Sequence, residues 1–377
     1  MLLELAGAAA LAIWIHLLFG RGGFWQMRDA LPEGALPAAA PGVVAVIPAR
    51  NEALVVARAI GSLARQRYPG EFHVVLVDDD SADGTADVAR GAAPAGLLEV
   101  VRAGPVPAGW TGKLWAASEG IRAAQRFQAE YLLLTDADIV HPPDNLSALV
   151  ARAASCGYDM VSLMATLECR TFAERALIPA FVFFFFMLYP PAWIGSLRRG
   201  TAAAAGGCIL IRREILERVG GLAAIRGEVI DDCALARAVR RQGGRVWLGL
   251  SGATRSVRAY GTWGEIGRMI SRSAFAQLHH SVWLLIGTVL GLALTYLVPP
   301  ALATAARGPA AALGAGGWLL MSIAYFPALR FYRRSPAWAP LLPAIAAFYL
   351  GATIHSAVCY WRGAGGMWKG RVQDRAG

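Results

Sequence analysis

Lysine is almost missing from this chain: of 36 Lys+Arg in 377 residues, only Lys113 and Lys369 are lysines. Arginine has taken over nearly every cationic position, so a lysine that remains marks a position to weigh. Cysteine is sparse and unpaired in spacing. Cys156, Cys169, Cys208, Cys233 and Cys359 are far apart and form no CxxC, which excludes a disulfide framework and a zinc knuckle and suits a reducing compartment. No GxGxxG follows the first strand-like run, which argues against a nicotinamide-dinucleotide fold. The apolar start carries Glu4 instead of a basic cluster, so it reads as an uncleaved anchor and not as a signal peptide. Charge is also thin: 16% charged residues against 56% hydrophobic is too little for an ordinary soluble enzyme and too much for a pure membrane bundle. With a mean hydropathy of +0.44, a soluble domain joined to membrane helices fits both figures. The net charge of +10 comes from dispersed arginines, several flanking apolar spans, which points to anionic lipid headgroups and an anionic substrate and not to nucleic acid.

The long apolar runs lie at the two ends. Residues 1–20 are long enough to cross a bilayer, and Arg21 and Arg28 follow, so the amino end is expected outside and the rest cytoplasmic, at the inner membrane. Residues 21–42 read as a linker. Residues 276–361 contain three more runs of membrane length, 281–306, 309–329 and 337–361, with Arg330, Arg333 and Arg334 between the second and third. Counting three crossings puts the basic tail, 362–377, outside, whereas Arg362, Lys369, Arg371 and Arg375 favour the inside. The side of the tail is open, and one re-entrant span would remove the conflict. The aromatic stretch 176–195, broken by Pro190 and Pro191, is hydrophobic enough to cross. A single crossing there would split the domain, so it is read as lying in the interface, where it could line a lipid entry.

Residues 43–275 alternate apolar strands with helical stretches: strands at 43–47, 72–77 and 131–134, helices at 53–66, from 84, and at 115–127. That alternation predicts an α/β domain with a mainly parallel, Rossmann-like sheet and ligands at the carboxyl ends of its strands. Three polar clusters fall at those ends: Pro48 to Glu52, Asp78 to Asp80, and Asp136 to Asp138. Asp136 and Asp138, spaced i and i+2, are expected on one face of a strand. Their mutual repulsion calls for an offsetting charge, and Mg²⁺ carrying a diphosphate supplies one. Lys113, in the loop Gly109-Trp110-Thr111-Gly112-Lys113, is a point charge suited to phosphate.

Together these motifs, with Val229-Ile230-Asp231-Asp232 added, resemble family-2 glycosyltransferases of the GT-A fold. The Gly-Trp-Thr-Gly-Lys loop and the membrane spans are similar to those of hopene-associated glycosyltransferases. The resemblance covers about 43–275. It implies a nucleotide-sugar donor, UDP-linked, a divalent Mg²⁺ or Mn²⁺, inversion, and a membrane-lipid hydroxyl as acceptor, with hopanoids as one candidate. Arg50, Glu52 and Pro48 would line the nucleoside site, with Asp78 or Asp79 accepting from base or ribose. Asp138 would bind the metal, with Asp136 at ribose or metal, and Asp232 would be the catalytic base beside Asp231. Lys113 and Arg272 would face the diphosphate. Asp80 stands where the family usually has Gly, so the local turn is open to change. Ser81 and Asp83 read as helix caps, and His141 as the start of a turn more than as a metal ligand. Ser273 stands where processive members carry a Trp, which disfavours a processive polysaccharide synthase. A silent nucleotide-sugar-binding partner is the remaining alternative.

Overall fold

The computed structural model describes residues 1–28, 36–196, 198–367 and 369–373. Eight strands form one sheet: β1 (Val43–Ala49), β2 (Phe72–Asp78), β3 (Leu98–Arg102), β4 (Tyr131–Thr135), β5 (Ile139–Val140), β6 (Met160–Thr166), β7 (Cys208–Arg212) and β8 (Val246–Ser256), in the order β3-β2-β1-β4-β7-β6-β8-β5. β1 runs parallel to both β2 and β4, and β2 to β3. β7 is antiparallel to β4 and β6, while β8 returns parallel to β6. The sheet is therefore mainly parallel, as expected. β1 is buried along nearly its whole length because helices cover both faces, which is why its sequence is a continuous apolar run without alternation.

The chain leaves β1 toward β2 and β3 on one side, then crosses to β4 on the other. That reversal opens a crevice at the carboxyl ends of β1 and β4. Helix Gly112–Ala124 lies over β1 and β2 and brings its first turn to this crevice. It packs closely because residue 120 is glycine: a Cβ there would stand 2.5 Å from Val46 Cγ1 and 2.7 Å from Val77 Cγ2.

Among the described residues five helices are long and apolar enough to cross a membrane: Leu2–Gly20, Phe172–Ile194, Val282–Ala305, Gly308–Phe331 and Pro336–Trp361. Three of them form a bundle. A Cβ on Gly7 would meet Leu302 and Leu313, a Cβ on Gly316 would meet Leu11, and Trp14 Nε1 donates to the Thr295 carbonyl at 2.8 Å. These contacts make Leu2–Gly20 antiparallel to Val282–Ala305 and parallel to Gly308–Phe331. Gly314 lets the hairpin between the last two close, since a Cβ there would lie 2.7 Å from the Pro299 carbonyl.

The final helix behaves differently. Tyr349 donates to the Leu177 carbonyl at 2.9 Å, Ser356 bonds the Ser271 carbonyl, and the Tyr360 ring stacks on His280 at 4.1 Å. It thus runs along elements of the domain, and residues 369–371 return to the ends of β1 and β2. The tail lies on the same side as the sheet's carboxyl edge. Within the segment read as a linker, Phe24 and Met27 are buried, and the Phe24 ring packs 5.3 Å from that of Phe183. Within 21–42, residues 29–35 lie outside the described residues, as do 374–377 within the tail. The 176–195 stretch forms helix Phe172–Leu188, started by a Thr171–Glu174 capping box, with Phe183 and Phe186 buried.

Candidate active site

The first wall of the crevice comes from the ends of β1 and β2. Beyond β1 the chain turns sharply, with Asn51 at φ 52°, and beyond β2 Asp80 takes φ 56°. Asp80 therefore keeps the left-handed turn that glycine would make, a conformation Asp tolerates better than most side chains. This turn sends Asp79 inward: it is 1% exposed, with the Arg50 guanidinium 3.7 Å from its carboxylate and Arg371 Nη1 at 2.9 and 2.7 Å from its two oxygens. Burial pushes the Asp79 carboxyl upward, against the pull of Arg371 and Arg50. Asp78 turns back and accepts from the Ser81 amide at 3.2 Å. The capping expectation needs correction. Asp83 bonds Thr85 at its own helix start but also accepts from the Ala53 amide, at 3.0 Å, and Ser81 Oγ accepts from the Asn51 amide, so both tie the β2 turn to the neighbouring helix.

The second wall follows β4. The strand ends at Thr135, so Asp136 and Asp138 lie in a turn, closed by the Ile139 amide donating to the Asp136 carbonyl at 3.2 Å, and not on one face of a strand. Each carboxylate has its own cation. Asp136 is 3.0 Å from Lys113 Nζ. Asp138 Oδ2 accepts from Ser256 at 3.0 Å and from Arg258 Nε at 2.9 Å, while the far end of Arg258 grips both oxygens of Glu52 at 2.5 and 2.6 Å. Burial, then the neighbouring carboxylates, push Asp136 upward while Lys113 pulls it down. His141 is buried, bonded to Thr135 and Asn145 at 3.0 Å each, and burial lowers its pKa to about 4. It is a neutral structural group.

Among the described residues no group of three His, Cys, Asp or Glu side chains could hold a metal by itself. Asp136 and Asp138 nonetheless offer hard oxygens from two carboxylates. That matches the way Mg²⁺ is commonly held, by one or two carboxylates with substrate phosphates completing the shell.

The third wall is Lys113 and the paired acids. Thr111 caps the helix by accepting from the Leu114 amide, and its own amide donates to the Arg226 carbonyl at 2.9 Å, pinning the Gly-rich loop beside the 221–227 segment. Lys113 then bridges two elements, 3.0 Å from Asp136 and 3.2 Å from Asp231, and these carboxylates hold its pKa above the ordinary value against burial. Helix Asp231–Arg241 begins with the acid pair. Asp232 accepts from the Gly206 amide at 2.8 Å and the Cys233 amide at 2.7 Å. Burial and the adjacent Asp231 charge nevertheless raise its pKa to about 6. Pro48, Lys113, Asp136, Gly206, Asp231 and Asp232 line one cavity.

The structure thus brings together Pro48, Arg50, Glu52, Asp79, Lys113, Asp136, Asp138, Asp231 and Asp232. Arg272 is exposed and makes no ion pair with a site carboxylate among the described residues, but its charge reaches Tyr260, which also feels Arg258, Asp138 and Asp136; Arg268 is exposed as well. Sequence reasoning missed Arg258, Ser256, Gly206, Lys369 and Arg371. Arg258 carries no signal among so many arginines. Lys369 did carry one, the same rarity that marked Lys113.

These three walls on a reversing α/β sheet define a glycosyltransferase of the GT-A type, and the chain belongs to the Glycosyltransferase like family 2, whose pattern matches residues 41–274. Its fold is similar to that of a mannosyltransferase from Pyrobaculum calidifontis in complex with GDP-mannose and Mn²⁺, with TM-score 0.59 and 20% identity over 94% of this chain and 98% of that one. It is also similar to M. tuberculosis glucosyl-3-phosphoglycerate synthase, with TM-score 0.42 and 17% identity over 63% of this chain and 80% of that one. S. aureus TarS 1-349 in complex with UDP-GlcNAc gives TM-score 0.41 and 15% identity over 85% of this chain and 92% of that one. No curated protein matches the sequence.

Proposed function

We propose that this chain is a membrane-bound, inverting glycosyltransferase that moves a sugar from a nucleoside-diphosphate sugar to the hydroxyl of a lipid. The observation that carries this reading is Asp232: a carboxylate raised to about 6, in one cavity with Lys113 and Asp136. A base tuned toward neutrality is what proton removal from a hydroxyl requires. Asp232 takes the acceptor proton as the hydroxyl oxygen attacks the anomeric carbon. The bond from that carbon to the diphosphate oxygen breaks, and the nucleoside diphosphate leaves. Lys113, held charged by Asp136 and Asp231, positions those acids and offsets negative charge at the crevice mouth. Arg50, Glu52 and Asp79 bind the nucleoside. Mg²⁺ or Mn²⁺, when bound at Asp136 and Asp138, would supply Lewis-acid neutralisation of the leaving diphosphate.

Helix packing supports a membrane arrangement. Because Leu2–Gly20 and Gly308–Phe331 are parallel, their carboxyl ends lie together, and Arg21 follows one while Arg330, Arg333 and Arg334 mark the other. Positive charge on that side supports reading it as the cytoplasmic side. Three helices then cross, Leu2–Gly20, Val282–Ala305 and Gly308–Phe331, while Pro336–Trp361 lies along the sheet domain without crossing. This removes one crossing from the sequence-based count and leaves the tail inside. Trp283, 82% exposed at the start of one crossing helix, and the exposed pair Phe172 and Trp263, with rings 6.0 Å apart, are aromatics of the kind enriched at membrane interfaces. The acceptor is a lipid hydroxyl, with hopanoids first among candidates by resemblance.

The test uses the purified chain in nanodiscs with UDP- or GDP-sugars, Mn²⁺ and hydroxylated lipids, with lipid products read by mass. Asp232→Asn is expected to lower the rate by about 10²–10⁴-fold while nucleotide still binds. Absence of any glycolipid, together with an unchanged cellular lipid profile in the Asp232→Asn strain, rejects the reading. Water-soluble polymer would select a processive synthase, and nucleotide binding without product a silent partner.

A further inference from the structure

We propose that residues 369–371 form a strap that closes the nucleoside end of the donor site and has to leave before a donor can enter. The inference rests on the reading of Glu52 and Asp79 as nucleoside-binding groups. The tail meets Arg50, Asn51, Glu52 and Asp79 at that end. Lys369 Nζ lies 2.9 Å from Glu52 Oε1 and donates to the Asn51 carbonyl at 3.1 Å. Arg50 Nε donates to the Lys369 carbonyl at 3.4 Å. Arg371 Nη1 reaches both carboxylate oxygens of Asp79, at 2.9 and 2.7 Å.

The chemistry makes this a competition. A base N–H or a ribose hydroxyl binds a carboxylate by donating to it, and Asp79 is 1% exposed with its oxygens already accepting from Arg371. Glu52 has its two oxygens held by Arg258 and a further contact from Lys369. These pairs are charge-assisted and partly buried, so the tail is not a loose neighbour.

The connection is built to let go. Between the end of helix Leu342–Trp361 and Arg371 lie Gly363, Gly365, Gly366 and Gly370. Backbone φ is +71° at Gly363, +60° at Gly366, +46° at Lys369 and +83° at Gly370. Among the described residues from 362 to 371 these left-handed positions interrupt any helix or strand, leaving only single bridge residues at Gly365 and Arg371. Its hold on the site rests on the ion pairs and on two hydrogen bonds to backbone carbonyls, and the short tether makes re-binding intramolecular. Arg50 and Arg258 stay behind when it leaves, because both belong to the sheet domain.

Calorimetric titration of the full chain in nanodiscs with UDP and with GDP, each with Mn²⁺, tests the strap. A site open in only a fraction of molecules shows an affinity reduced by that fraction, so the Lys369→Ala/Arg371→Ala double variant should bind nucleotide about tenfold more tightly or better. Unchanged affinity overturns the proposal. Weaker binding also overturns it, since the two cations would then serve the donor. Hydrogen exchange at residues 369–373 reads the strap without any nucleotide: Asp79→Asn should accelerate it, and unaltered exchange refutes the contact. Failure of either protein to bind a nucleotide would fell the functional reading by itself, leaving exchange to decide the strap.

Discussion

Replacing Lys113 by Met keeps the length of the side chain and removes its charge. Lys113 Nζ sits 3.0 Å from Asp136 and 3.2 Å from Asp231, and Asp232 feels the same ammonium. Opposite charges about 4 Å apart attract by about 4 kcal/mol at an effective dielectric of about 20. Removing one partner of a buried pair costs about 3–5 kcal/mol. The Lys113 side chain is 23% exposed, so the lower end, about 3 kcal/mol at pH 8, is the expectation. For a domain of this size that is a fall of about 6 °C or more in Tm. The pH dependence carries the argument. Asp136 and Asp232 already have raised pKa values, so the folded state holds more protons than the unfolded chain, and stability falls as pH rises through the folded values. Without Lys113 both rise further, so the deficit should be largest at pH 8 and shrink by about half or more at pH 5, where the carboxylates protonate. Thermal unfolding of the K113M chain in nanodiscs from pH 5 to 8 measures this. An equal deficit at both ends would show that Lys113 only fills space.

Three further outcomes follow from the same geometry. The native rate should fall about tenfold per unit below the Asp232 value of about 6, because protonation removes the base, and a flat profile from pH 5 to 8 would remove Asp232 from that role. Asp138→Ala should abolish the Mn²⁺ dependence of nucleotide binding while the fold persists, as read by calorimetry with and without chelator; retained dependence would move the metal elsewhere. Gly120→Ala forces a methyl to 2.5 Å from Val46 Cγ1 and should cost about 1–3 kcal/mol in thermal unfolding, and an unchanged Tm would contradict the close helix–sheet packing.

What could be read in advance was what local pattern encodes. The run Val43 to Ile47 announced a strand covered on both faces, and three polar clusters at strand ends located the crevice. The edge strand β3 was not legible, because Leu98–Arg102 is only half-buried and mixes charge with apolar residues. The reversed strand β7 was not legible either. Cys208–Arg212 is a short apolar run like any parallel strand, and its direction is set by the path from helix Phe172–Leu188 around the sheet. Asp136 and Asp138 were found but given the wrong local geometry, since nothing in Thr135 announces that pairing stops there. Arg258 is the main omission. Its role depends on β8 delivering it between Glu52 and Asp138, 206 and 120 residues away in sequence, and such a meeting has no local trace. The tail was undecided because positive charge and crossing count disagreed, and the packing of Pro336–Trp361 along the domain is a long-range contact that neither signal encodes.

The bond from Arg50 to residue 369 spans 319 positions of chain. During synthesis, the sheet and the apolar bundle both precede that segment, and folding proceeds from the amino end. A nascent molecule therefore finishes its crevice before the last contact to it exists. Newly made copies pass through an unlatched stage on the ribosome, in which Asp79 has Arg50 beside it and still awaits Arg371.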